Sequence, residues 1–137
     1  MVTNCYATGN VSGSDYVGGV VGQNTNSVPS YFGKVENCVA LNPNLSSTSG
    51  FYTNFGRVAG ESTLPNTLAN NYVRSTLTIN DTLFPFYDPT DMNGADIAPP
   101  GYENTPNFWS GTMGWNIGLT DPWQMGSNGL PELRDMP

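Results

Sequence analysis

The chain repeats itself every 33 residues: Val2-Thr3-Asn4-Cys5-Tyr6-Ala7 aligns with Val35-Glu36-Asn37-Cys38-Val39-Ala40, and both align with Leu68-Ala69-Asn70-Asn71-Tyr72-Val73. A fixed period of this length marks a copied supersecondary unit, and one such unit cannot bury its apolar face without a neighbour of the same kind. A second motif lies between the copies. Val17-Gly18-Gly19-Val20-Val21-Gly22 returns loosely as Phe55-Gly56-Arg57-Val58-Ala59-Gly60, at a spacing of 38 rather than 33 residues. Loops of unequal length must therefore separate strands of fixed position.

Each unit reads as two or three short strands joined by Asn-, Ser-, Gly- and Thr-rich turns. From Val2 to Val11 the side chains alternate with the period of two that a half-buried strand requires, which points Cys5, Ala7 and Val11 inward. Val17, Gly19 and Val21 share one face of the next strand. Stacking copies about 4.8 Å apart makes a continuous core with ladders of like residues. Val2, Val35 and Leu68, with Asn4, Asn37 and Asn70, are expected to lie in register as parallel neighbours. Cys5, Cys38 and Asn71 form the next ladder position. The two cysteines read as small buried hydrophobes in that ladder. A disulfide between them is the alternative, opposed by the dihedral angle of about 90° that such a bond needs.

The segment VTNCYATGNVSGSDYVGGVVG resembles a GLUG repeat, and KVENCVALNP resembles the strand of the next copy. The resemblance covers residues 2–43, extends loosely over 55–74 and is absent beyond. It implies an all-β fold, a short right-handed parallel β-helix (β-solenoid) of about three coils with a Pro/Trp-rich C-terminal cap. It also implies an exported bacterial protein of the adhesin-like kind, extracellular or on the cell surface, and it carries over no catalytic residue. The expected organisation is a single domain over 1–137, with solenoid coils over 1–80 and an irregular loop, last coil and cap over 81–137. The chain reads as a piece of a longer parent. No signal peptide is visible, because Met1 leads straight into the first copy.

Composition narrows the chemistry. The net charge is −7, with Lys34, Arg57, Arg74 and Arg134 the only cations. Nucleic acid is excluded as a partner, since its binding depends on clustered Lys and Arg that neutralise phosphates. No apolar run approaches the roughly 18 residues that span a bilayer. With no histidine and two cysteines, the chain lacks a Ser-His or Cys-His nucleophile and any imidazole base. The protein is expected not to be an enzyme.

The second half differs in kind. Pro85, Pro89, Pro99, Pro100 and Pro106 interrupt it, and Phe84, Phe86, Tyr87, Tyr102, Phe108, Trp109, Trp115 and Trp123 crowd into it. Regular helix or interior strand is not expected over 85–106, whereas Tyr72–Ile79 reads as a strand. Three constellations there could carry chemistry. Asp88, Asp91, Asn93 and Asp96 alternate oxygens around an Asn-Gly turn, as a calcium loop of six to eight oxygens would. Pro89 and the lack of a closing Glu break the EF-hand pattern, so a solvated turn is the rival reading. Calcium is the one cofactor considered. Trp109, Trp115, Trp123 and Tyr102 could form a sugar-stacking platform, or could fill the cap as large aromatics fill small cores. Asp81, Asp88, Asp91 and Asp96 could supply the carboxylate pair of a glycosidase, but sequence defines no pocket for it.

The expected function is thus a non-catalytic structural or adhesive module, a stalk or binding tip. Its partner would be a host or bacterial surface protein or glycan, with upstream repeats of the parent or a second copy stacked on its first strands. A carbohydrate-binding accessory module is the alternative, and a fragment of a polysaccharide-degrading β-helix enzyme the third reading.

Overall fold

A computed structural model describes residues 1–25, 32–50, 54–63, 67–83 and 88–134. Phe84, Pro85, Phe86 and Tyr87 lie outside the described residues. The chain forms two compact units, Met1–Asp96 and Ile97–Pro137.

The first unit is a stack of very short strands. The first repeat supplies β1 (Val2–Thr3), β2 (Tyr6–Ala7), β3 (Val11–Gly13), β4 (Val17–Gly18) and β5 (Val21–Asn24). The second supplies β6 (Lys34–Glu36), β7 (Val39–Ala40), β8 (Asn44–Ser47), β9 (Phe55–Gly56) and β10 (Ala59–Ser62). The third begins with β11 (Thr67–Ala69), β12 (Tyr72–Val73) and β13 (Thr78–Ile79), followed by β14 (Thr82–Leu83) and β15 (Ala95–Asp96). Corresponding strands pair in parallel: β1-β6-β11, β2-β7-β12-β15, β3-β8-β13, β4-β9 and β5-β10. This all-β arrangement of parallel sheets fits a β-helix. The expected register holds, with Val35 opposite both Val2 and Leu68. Val17 pairs with Phe55 at the longer spacing, so the parallel pairing is kept although the segments between the strands differ in length.

The recurring asparagine has a conformational cause. Asn4, Asn37 and Asn70 all take left-handed backbone conformations, with φ of 52°, 54° and 52°. That region is costly for most side chains and cheaper for Asn, which bonds locally. Each asparagine turns a sharp corner between the first and second strands of its repeat. The corners then interlock: Asn70 Nδ2 donates to Asn37 Oδ1 at 2.8 Å, while the backbone N–H groups of Asn4 and Asn37 donate to Glu36 O and Ala69 O.

The glycine motif makes a corner too, and here the sequence expectation is corrected. Val17 to Val21 is not one strand, because the chain bends at Gly19-Val20 between β4 and β5. A Cβ on Gly18 would strike the carbonyl oxygen of Val21, and one on Gly56 that of Ala59. Both copies thus fold back over a glycine. Backbones of neighbouring repeats also meet at Gly60, where a Cβ would lie 2.5 Å from the Tyr16 carbonyl carbon and 2.6 Å from Gly22 O. Gly60→Ala is expected to destabilise the fold by about 1–3 kcal/mol, the usual cost of overpacking, measurable as a shifted denaturation midpoint at unchanged slope. Tyr72–Ile79 is likewise two strands, with Leu77 buried in the bend between them.

The core of this unit joins Val17, Val35, Cys38, Ala40, Leu45, Val58, Val73, Leu77 and Ile79. The second and third repeats supply its fully buried members, each covered on both sides by further chain. Expected inward positions of the first repeat are less covered: Cys5 is exposed, and Ala7 and Val11 are half-buried.

Among the described residues, the proline-rich segment holds the two-residue edge strand β15 and a three-residue 3-10 turn, Tyr102–Asn104. The second unit then makes one π-helical turn, Phe108–Thr112, and an antiparallel hairpin of β16 (Trp123–Met125) and β17 (Pro131–Leu133).

Candidate functional site

The ladder position after the asparagine corner shows how the fold uses polar side chains. Asn71 stands where the earlier repeats carry Cys5 and Cys38, and it is fully buried. Its Oδ1 accepts from the Cys38 N–H at 3.1 Å, and its Nδ2 donates to Val35 O at 2.8 Å. One side chain therefore satisfies two backbone groups of the preceding repeat, which would be costly to bury unpaired. Asn42, also buried, donates from Nδ2 to Gly9 O at 2.6 Å. Asn42 Oδ1 has no hydrogen-bond partner among the described residues and lies against Gly19, where a side chain would collide with it.

Both cysteines are free thiols, Cys5 exposed and Cys38 buried. Burial pushes Cys38 up from 9.0 to about 11, against the opposing hydrogen bonds to backbone at Cys5 and Glu36. At neutral pH it holds its proton, and only a thiolate is a good nucleophile. The folded state therefore binds this proton more tightly than the unfolded chain. Its contribution to stability is intact below pH 9.0 and is lost as pH rises towards about 11. At pH 7 a thiol reagent is expected to label Cys5 in the native protein and to reach Cys38 only on unfolding. Equal labelling of both would contradict the burial.

In the loop proposed from sequence as a calcium site, one oxygen of each aspartate accepts hydrogen bonds from this chain. Asp88 Oδ1 accepts from the Thr90 N–H at 2.8 Å and the Thr90 hydroxyl at 2.6 Å, and these bonds hold its carboxyl below the usual range. Asp91 Oδ1 accepts from the N–H and Nδ2 of Asn93. Asp96 faces Arg57, whose guanidinium is 1% exposed and approaches Asp96 Oδ1 at 2.5 Å. Arg57 also donates from Nε to Asn93 O at 3.1 Å and from Nη2 to Gly94 O at 3.0 Å, and its backbone N–H reaches Asn93 Oδ1. An internal cation thus occupies the oxygen-rich turn. Among the described residues no three His, Cys, Asp or Glu side chains are grouped to hold a metal.

The sequence does not reveal this clasp: Arg57 stands out there only as one of four positive charges and as a member of the second glycine motif. No local pattern ties it to Asp96, 39 residues away. Arg134 is a second staple: it reaches Asp121 O from Nε at 3.2 Å and Gly118 O from Nη2, pinning the turn before β16.

The tryptophans and their neighbours form a chain of ring contacts inside the second unit. Tyr102 meets Phe108 at 5.6 Å and 68°, and Phe108 meets Trp109 at 5.1 Å and 79°. Trp109 and Trp115 are 4.8 Å apart, as are Trp115 and Trp123. Edge-to-face and tilted contacts at these separations are the favourable ones. Trp109 is fully buried and donates from Nε1 to Glu103 O at 2.6 Å, and Trp115 is 2% exposed. Their backbones also meet, Trp115 N–H donating to Trp109 O at 2.8 Å. Two members of the suggested sugar platform therefore present no open ring face, and Tyr102 and Trp123 are half-buried.

The family model described as the GLUG motif matches residues 13–46. No match was found among curated proteins or among solved structures. The matched segment begins in β3, includes the Val17–Gly22 corner and the second Asn-Cys strand pair, and ends in β8. It spans the step from one repeat to the next, and on that match the chain is a protein that carries the GLUG motif on a stack of parallel β-strands.

Proposed function

We propose that the protein is a non-catalytic structural or adhesive module, a stalk or binding tip of an exported bacterial surface or secreted protein. In this reading the strands form a short right-handed β-helix of about three coils, and the Pro- and Trp-rich segment is its C-terminal cap. One observation supports it above others: several side chains suited to chemistry are buried or serve as internal fastenings. Arg57 and Asp96 clasp a turn, Asn71 brackets the backbone of the preceding repeat, Cys38 is a buried thiol, and Trp109 and Trp115 are core. What faces solvent is dominated by Asn, Ser, Thr and Gly, the surface of a scaffold whose loops contact a partner. That partner would be a surface protein or a glycan met through the loops rather than through stacked rings.

Two measurements test the reading. Fractionation of a producing bacterium should find the parent protein in the envelope or the medium, and recovery from the cytosol would contradict export. Incubation with soluble polysaccharides should release no new reducing ends, and release that depends on Asp88 or Asp91 would revive the enzyme reading.

A further inference from the structure

We propose that the face formed by β1, β2 and β3 is a docking surface for one further repeat of the same kind, running parallel and in register. This rests on the observed strand pairing and is independent of the adhesive reading. The stack has two unlike ends. At the far end the chain covers itself. β14 turns back antiparallel on β13 through Asn80 and Asp81, at φ of 46° and 62°. Pro89 O accepts from the Asn71 N–H, and Met92 O from those of Val58 and Ala59. At the near end β1, β2 and β3 are the edge strands of three successive sheets.

Burial reports the same asymmetry. Cys38 is fully buried and its counterpart Cys5 is exposed. Val35, Ala40 and Leu45 are at most 2% exposed. Val2, Ala7 and Val11, which pair with them in register, are only half-buried. Proteins usually guard such edges with charge, proline or a bulge. From Val2 to Ser14 there is no charged residue and no proline, so these strands carry none of those guards.

Its shape selects the occupant. An ordinary straight strand could pair with one of the three edges. Pairing with all three requires a chain that turns the same left-handed corner as Asn4, Asn37 and Asn70. The interlock of Asn70 with Asn37 shows how such corners join. A repeat bearing Val-x-Asn-Cys would continue the β1–β6 interface by one layer.

The experiment uses thiol labelling at pH 7 as its readout. Residues 2–34 are placed directly before Val2 in an extended chain, with the added cysteine replaced by serine so that Cys5 and Cys38 remain the only thiols. The original chain should show fast labelling at Cys5. In the extended chain that rate should fall at least about tenfold, as expected for a group reached only through local opening, and the thermal midpoint should rise. A second extension of the same composition in shuffled order should leave Cys5 fast. Unchanged labelling of Cys5, newly reactive Cys38, or equal protection by the shuffled extension would each overturn the proposal. Concentration-dependent protection in the unextended chain, with a dimer mass, would give the face to a second copy instead and also overturn it.

Discussion

Trp115→Ala is expected to destabilise the second unit by about 3–5 kcal/mol, the range for deleting a buried aromatic from a packed core. The ring is 2% exposed and lies 4.8 Å from both Trp109 and Trp123, so its removal opens a cavity between two other large side chains. A whole domain is stable by only about 5–15 kcal/mol, so a loss of this size should leave a large part of the unit unfolded at moderate temperature. Denaturant titration followed by the emission of Trp109 and Trp123 measures it. A sugar-stacking role predicts the reverse outcome, an unchanged midpoint with lost glycan binding. An unchanged midpoint would therefore contradict the core assignment.

Arg57→Met should cost a comparable amount, about 3–5 kcal/mol, because breaking one partner out of a buried ion pair leaves the other charge uncompensated. The loss goes beyond Asp96: Asn93 O and Gly94 O lose their guanidinium donors at the same time. Methionine keeps most of the side-chain length, so the effect reports charge and hydrogen bonding more than volume. Arg57→Met combined with Asp96→Asn should lose less than the sum of the two single variants, as coupled neighbours do. Strict additivity in that cycle would deny the clasp.

How much of this was legible beforehand depended on whether the determinant was periodic. The triplets Val2/Val35/Leu68 and Asn4/Asn37/Asn70 recur at one spacing, and parallel neighbours in register follow directly from that recurrence. The asparagines carried more than position, since their side chain tolerates the left-handed corner that turns each repeat. The corner at Gly19-Val20 reads as a strand from sequence because Val17, Gly19 and Val21 fall at a period of two. What distinguishes the two is the close approach of backbone to Gly18, a tertiary fact. The Arg57–Asp96 clasp joins residues 39 apart, off the 33-residue period, where the repeat gives no register to read. Asn71 aligns with two cysteines in sequence, but its amide does what a thiol cannot, donating and accepting on the backbone of the repeat before it. For the tryptophans, a core and a binding platform call for the same residue type. Burial separates them, and burial is not written in composition.

The central claim is that the repeats lie parallel and in register, one layer upon another. The most direct test is a set of cross-strand nuclear Overhauser contacts in solution, within reach for a chain of 14.7 kDa. The backbone protons of Val35 should show contacts to both Val2 and Leu68, and those of Val39 to both Tyr6 and Tyr72, in the slanted pattern of parallel pairs. Close Hα–Hα contacts between these segments, the mark of antiparallel pairing, or contacts from Val35 to only one of its two neighbours, would contradict it.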